Sequence, residues 1–214
     1  MKRYDALIFD WDGTLLDSAD HIAACMCEAF VDMNLNPPTI DEAKNIIGLG
    51  MIEAIQQLRP EMDMEMVRRV RERYSEHFFR KPMTREDLFE GVLEMLDEAA
   101  TRGYQLAIAT GKSRPGMDVA LKALAMEGHF QVVRCADETR SKPHPLMLQE
   151  ILRELSLAPE RALMIGDTEY DMAMARNAGM DRLGVTYGVH SRDRLMLHEP
   201  IGCIDSITSL HGLV

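Results

Sequence analysis

Residues Asp5 to Ser18 read Asp-Ala-Leu-Ile-Phe-Asp-Trp-Asp-Gly-Thr-Leu-Leu-Asp-Ser, and the rest of the chain is organised around this stretch. Ala6 to Phe9 is a short apolar run stopped by Asp10-Trp11-Asp12-Gly13. A run that short, apolar on both faces, suits a strand buried on both sides of a parallel sheet, although periodicity alone also admits a buried helical turn. Asp10 falls just past the strand end, with Asp12 after it, and Gly13 lets the chain turn away without a Cβ penalty. Open α/β proteins place their sites at this carboxyl edge. Two carboxylates held close there repel, so a divalent cation, a lysine or a shared proton has to compensate. A cation would also let Asp10 approach an anionic phosphoryl group, toward which aspartate is a nucleophile. Taken by itself, such an Asp-Gly run is more often a plain turn. An EF-hand loop is excluded, because its sixth position would be Leu15 and its twelfth His21.

The chain has 214 residues, enough for one domain of ordinary size or one domain plus a small insert. A formal charge of −11 argues against nucleic acid or an anionic membrane as the main partner. The same charge repels phosphate at long range, so an anionic ligand needs local cations. Cys25, Cys27, Cys135 and Cys203 show no metal spacing and read as reduced core residues of a cytoplasmic protein. The apolar run after Lys2-Arg3 is too short for a signal peptide, and no segment approaches the ~18 apolar residues of a membrane span.

Beyond Asp17 the pattern turns helical. Asp20 to Met33 carries Ile22, Met26, Ala29, Phe30 and Met33 at helical spacing. Thr39-Ile40-Asp41-Glu42 is a capping box opening a short helix toward Ile47. Gly48-Leu49-Gly50 interrupts it, Met51 to Arg59 resumes, and Met62 to Phe79 is a long charged helix with Met66, Val70, Tyr74 and Phe78 on one stripe. Residues 17–84 therefore form an all-helical block inserted after the first strand, leaving 1–16 and 85–214 for the remainder. From Gly91 the pattern alternates. Strands are predicted at Gln105 to Ala109, Gln131 to Cys135, Ala162 to Ile165, Arg182 to Thr186 and Gly202 to Ile204, with helices between them. Such alternation means an α/β fold with a doubly wound parallel sheet.

In a parallel sheet the carboxyl ends share one edge. Four of them carry polar groups: Asp10 and Asp12, Thr110-Gly111, Lys142-Pro143, and Asp167 with Asp171. Each suits phosphoryl transfer. Asp10 would attack phosphorus, and Asp12 would protonate the leaving alkoxide and then activate water. The Thr110 hydroxyl and Gly111 amide would hold phosphate oxygens at a helix start. Lys142 would neutralise phosphate and the crowded carboxylates. Asp167 would complete a Mg²⁺ shell with Asp10 and a backbone carbonyl, that of Asp12, while Asp171 would hold metal-bound water. Thr110 to Ser113 mimics the tail of a P-loop, but Leu106 stands where its first glycine belongs.

These four motifs resemble those of the haloacid dehalogenase superfamily across essentially the whole chain, with the helical block similar to the family's C1 cap domain. The resemblance implies a Rossmann-like core, Mg²⁺ dependence and an aspartyl-phosphate intermediate. Asp12 to Ser18 and Val185-Thr186-Tyr187-Gly188 resemble phosphoglycolate phosphatases, whereas Trp11 stands where that family commonly has a smaller residue. The expected activity is thus a phosphatase acting on a small phosphorylated metabolite, with 2-phosphoglycolate the leading substrate and a sugar phosphomutase the alternative. A metal-free dehalogenase has no use for Asp12 and Asp167, and a signalling receiver lacks the helical insert. Gly48 and Gly50 are the expected specificity positions, presenting amides to a substrate carboxylate; Arg80, Lys81 and Lys112 are further candidates for its distal group. A monomer or a homodimer is compatible with all of this.

Overall fold

The computed structural model describes residues 3–212. Among these residues six strands form one parallel sheet in the order β3-β2-β1-β4-β5-β6. They are β1 (Ala6–Phe9), β2 (Gln105–Thr110), β3 (Val132–Cys135), β4 (Ala162–Gly166), β5 (Asp181–Val185) and β6 (Gly202–Ile204). The helices are α1 (Ala19–Asp32), α2 (Ile40–Asn45), α3 (Met51–Leu58), α4 (Met64–Phe78), α5 (Val92–Thr101), α6 (Arg114–Leu124), α7 (Leu146–Leu155), α8 (Glu169–Asn177) and α9 (Arg192–Met196). The α/β class and the doubly wound sheet expected from the sequence are both present.

Ala6 to Phe9 is buried throughout because β1 lies between β2 and β4 with helices over both faces. Its side chains alternate in destination, as strand geometry requires. Leu7 and Phe9 join one cluster with Leu106, Ile108, Leu163 and Ile165, whereas Ala6 and Ile8 join another with Met147, Ile151 and Met164. Strand order reverses at β1, which opens a crevice beyond its carboxyl end. In register, Phe9 pairs with Ile108 and Ile165, so Asp10 emerges level with Ala109 and Gly166, and Thr110 and Asp167 stand one residue further along the same edge.

Helices α1 to α4 surround a third apolar cluster, which includes Ile22, Met26, Phe30, Ile55, Val67 and Val70 and receives Tyr170 from α8. The chain enters and leaves this region along paired segments. Asp17 N–H donates to Asp87 O at 2.8 Å and Phe89 N–H to Leu15 O at 3.0 Å, flanking a Leu16–Leu88 antiparallel bridge. The Thr39–Glu42 capping box of α2 is formed. Helix α4 begins later than its sequence pattern suggests, because the Asp63 side chain caps it by accepting from Met66 N–H at 2.8 Å. Val67, not Met66, is the buried residue of its first turns. All four cysteines are free, but only Cys25 and Cys135 are core residues; Cys27 and Cys203 are half-exposed. Among the described residues no helix is long and apolar enough to cross a membrane.

Candidate active site

Three carboxylates and one ammonium meet beyond the β1 and β4 ends. The Lys142 Nζ lies 2.6 Å from Asp10 Oδ1 and 2.7 Å from Asp171 Oδ1, with its side chain wholly buried. Asp10, Asp167 and Asp171 each offer an oxygen within 4.8 Å of the others, and all three are buried. Lys142 does not stand at a strand end; the loop between β3 and α7 delivers it. Asp167 is fixed at both oxygens, accepting from the Thr14 hydroxyl at 3.0 Å and from Val189 N–H at 2.8 Å. Asp171 is equally committed, since its Oδ2 accepts from the Thr168 hydroxyl at 2.6 Å and the Thr168 amide at 3.1 Å, completing the α8 capping box. Asp10 Oδ2, by contrast, is buried without a hydrogen-bond partner.

Burial raises the Asp10 carboxyl well above the ordinary range, Lys142 opposing and the neighbouring carboxylates reinforcing. Burial and then the charge of Asp171 push Asp167 up to about 7, against its Val189 and Thr14 hydrogen bonds. For Lys142 burial works to lower the pKa, yet Asp10 and Asp171 outweigh it and hold the proton on. Three buried carboxylates against one ammonium leave uncompensated negative charge, which is costly in a dry site. An all-oxygen donor set carrying that excess charge fits a hard divalent cation such as Mg²⁺.

The Asp12 carboxylate is held apart from this trio. Its Oδ1 accepts from the Ser18 hydroxyl at 2.7 Å and its Oδ2 lies 2.9 Å from Lys112 Nζ. Gly13 is required here: its φ is +85°, and a Cβ would stand 2.2 Å from Asp167 Oδ2. Trp11 is buried in the core cluster, edge-on to Phe130 at 6.3 Å between ring centroids. Thr110, the last residue of β2, is buried, and its hydroxyl accepts from Lys112 N–H at 3.1 Å in the loop that leads into α6.

A cleft of about 730 Å³ opens above these groups, between the sheet edge and helices α1 to α4. Asp10, Asp12, Thr110, Gly111 and Lys112 line its floor, and Gly48, Gly50, Tyr74 and Phe78 line its roof. The Gly48–Gly50 loop, expected to present amides to a substrate, reaches down to the floor. Its Gly50 amide donates to Ser141 Oγ at 2.8 Å. The Leu49 and Gly48 carbonyls crowd Gly111 so closely that a Cβ there would lie 2.5 and 2.6 Å from them. Lys112 serves Asp12 and packs over the Phe78 ring at 4.6 Å. Arg80 and Lys81 turn to His77 and Asp87 and are not among the lining residues.

Several participants carry no local sequence signal. Ser18 orients Asp12, Thr14 and Val189 hold Asp167, and the Tyr187 hydroxyl donates to Thr14 O at 2.9 Å. On the far side of the roof, Tyr170 donates to Asn45 O at 2.9 Å and accepts from Gln57 at 3.1 Å, while Arg194 donates to Asn45 Oδ1. The Asp12–Ser18 resemblance covers Thr14 and Ser18 and the Val185–Gly188 resemblance covers Tyr187, whereas nothing in the sequence pointed toward Val189 or the group around Asn45.

Residues 7–185 match the family of haloacid dehalogenase-like hydrolases. The chain is 32% identical to a protein named as a probable phosphatase, IndB, of Dickeya dadantii, over 96% of this chain and 91% of that one. It is 30% identical to a phosphoglycolate phosphatase of Pectobacterium atrosepticum, over 97% and 91%. In fold it is similar to a hydrolase from Pseudomonas syringae, with a TM-score of 0.89 at 23% identity and coverage of 98% and 97%. The chain belongs to the haloacid dehalogenase-like hydrolase family.

Proposed function

We propose that the chain is a Mg²⁺-dependent phosphatase of small phosphomonoesters, a phosphoric monoester hydrolase that works through an aspartyl phosphate on Asp10. The observation that carries this reading is the buried trio Asp10, Asp167 and Asp171 beside Lys142, with Asp10 Oδ2 unpartnered. Asp10, Asp167 and the main-chain carbonyl of Asp12 would hold the cation, with Asp171 supporting the set through Lys142. When bound, Mg²⁺ supplies the positive charge that lets a carboxylate meet a phosphoryl group.

The chain's own residues divide the remaining work. Lys142 orients Asp10 through its 2.6 Å contact, leaving Oδ2 free to attack phosphorus. The P–O bond to the leaving alcohol breaks as the Oδ2–P bond forms, and Asp12 gives that alkoxide its proton. Asp12 then takes a proton from a water, which attacks phosphorus and returns the Asp10 carboxylate. Ser18 and Lys112 hold Asp12 for both transfers. The Thr110 hydroxyl and Gly111 amide would receive the phosphoryl oxygens.

Residues 17–84 act in this reading as a cap domain on a core of residues 1–16 and 85–214. The paired crossings at Asp17 and Phe89 are its hinges, and closure excludes bulk water. The four free cysteines suit a reducing, cytoplasmic setting. The names borne by the relatives favour a phosphatase over a mutase, and 2-phosphoglycolate is the first ester to assay because relatives carry that name. The test is phosphate release from a panel of phosphorylated metabolites with Mg²⁺ and with a chelator. Release that persists unchanged in excess chelator would overturn the metal requirement, and absence of release from every ester would overturn the phosphatase.

A further inference from the structure

The cleft is larger than its reaction needs. Its volume of about 730 Å³ lies in the range of roughly 300–1,000 Å³ that accommodates drug-sized ligands. Even granting each heavy atom of 2-phosphoglycolate roughly the 30 Å³ share of a liquid water, that ester fills under half of it. The surplus space lies against the helical region, and its wall is apolar: Ile22, Ile47, Leu49, Ile52, Tyr74 and Phe78 all line it. Five of these are buried in the fold and Ile52 is half-buried.

Charge around the cleft points the same way. Lys112 and Arg71 are the lining cations among the described residues. Lys112 is already paired with Asp12, and Arg71 is exposed. The exposed acids Glu53, Glu72 and Asp137 line the same cleft, as does Glu76, which is paired with Arg73 at 2.7 Å, so a second anion on the substrate would meet more negative charge than positive. The Gly50 amide, which could have received a carboxylate, is bonded to Ser141.

We propose that the substrate's alcohol portion is uncharged and largely apolar, longer than two carbons, and that the wall from Ile22 to Phe78 selects it by burial. This rests on the phosphatase reading and names the leaving group of that same reaction. An apolar wall beside a polar floor splits the substrate's recognition in two: the floor takes the phosphoryl group that every candidate shares, and the wall takes the part that differs. Each methylene moved from water onto that wall should raise kcat/KM by roughly two- to fourfold until the space is filled.

The test is a series of straight-chain primary alkyl phosphates from ethyl to hexyl, compared with 2-phosphoglycolate by phosphate release. The alcohols differ little in acidity, so the slope reports binding of the chain rather than ease of departure. The expected result is a rising kcat/KM, with hexyl phosphate exceeding 2-phosphoglycolate by more than about tenfold. Ile52→Glu should flatten the slope. Glu72→Lys, an exposed change that leaves the apolar packing alone, should shift the preference toward 2-phosphoglycolate. A flat or falling series, or 2-phosphoglycolate outrunning hexyl phosphate, overturns the inference and leaves the phosphatase standing. No release from any ester, 2-phosphoglycolate included, overturns the phosphatase and this inference with it.

Discussion

Asp10, in the floor of the cleft, and Tyr74, in its roof, belong to regions held by different forces. On the floor nearly every oxygen and nitrogen has an assigned partner: Lys142 holds Asp10 and Asp171, Thr14 and Val189 hold Asp167, and Ser18 holds Asp12. These contacts are directional and buried, so displacing one leaves a polar group unsatisfied and costs about 1–3 kcal/mol. The roof is mostly apolar contact, which is non-directional and tolerates sliding. Its polar ties to the floor include Gly50 to Ser141 and the Tyr170, Gln57, Asn45 and Arg194 group. A rigid polar floor suits a reaction whose atoms must be placed to a fraction of an ångström. An apolar roof would suit the part proposed to open, close and select the substrate.

Removing the free oxygen on the floor should have the largest effect. Asp10→Asn keeps the size of the side chain but loses the nucleophile, and turnover should fall below about a thousandth of wild type, measured by phosphate release with circular dichroism reporting the fold. Activity above that level would sink Asp10 as nucleophile and leave it a metal ligand only. The next effect belongs to Asp167→Ala, which takes one donor from the buried set while Lys142 still holds Asp10. Mg²⁺ affinity measured by calorimetry should fall more than the affinity for a non-hydrolysable phosphate analogue. Ca²⁺, which accepts a looser shell, should bind and inhibit. Equal losses for metal and analogue would break the distinction drawn between the metal set and the phosphate cradle.

The two regions were unequally legible in sequence. Asp10 and Asp167 could be placed because each follows an apolar strand, and Thr110 because it closes one, in a fixed parallel register. Lys142 could be named but not placed, since a loop rather than a strand end delivers it. The roof was read less well, for geometric reasons. A strict spacing of four drifts around a helix by about 40° per step, so the Met66–Phe78 stripe rotates out of the core at its start and Val67 takes the buried place. Two glycines in the Gly48–Gly50 loop announce flexibility but not which way the peptides face. Ser18, Val189, Tyr170 and Ser141 act across contacts that no local periodicity can register.

The contact between floor and roof can be broken at a single atom. Gly111→Ala would put a methyl group 2.5 Å from Leu49 O and 2.6 Å from Gly48 O, both backbone atoms that cannot swing aside. The roof must then lift or the floor loop must shift. The expected result is a fall in kcat/KM of about tenfold to a hundredfold, since an ångström of misplacement costs on that order, with little change in melting temperature. Solution scattering should report a more open molecule in the presence of Mg²⁺ and a phosphate analogue. Unchanged kinetics would mean that the close approach of loop and floor is not part of the working state.

The smallest effect is expected at the opposite edge of the sheet, where no chemistry is placed. Tyr4 precedes β1 at its amino end and donates its hydroxyl to Asp181 Oδ2 at 2.8 Å. Burial and then Asp181 push its phenol up to about 12 in the folded chain, against about 10 when unfolded. A group whose folded pKa is raised contributes its stability fully below the unfolded value and loses it as pH climbs through the folded one. Wild type should therefore lose stability between about pH 10 and 12 as the unfolded chain sheds a proton that the folded chain retains. Tyr4→Phe removes that proton from both states, so its denaturation midpoint should start lower near neutral pH but fall less steeply across the alkaline window. Phosphate release at neutral pH should stay within about twofold of wild type, because Tyr4, although buried, lies at the amino end of β1 and Asp10 beyond its carboxyl end. Parallel alkaline slopes in the two proteins would show that Tyr4 does not carry this dependence. A large kinetic defect would show that the amino edge is coupled to the floor, and the contrast between regions would then have to include it.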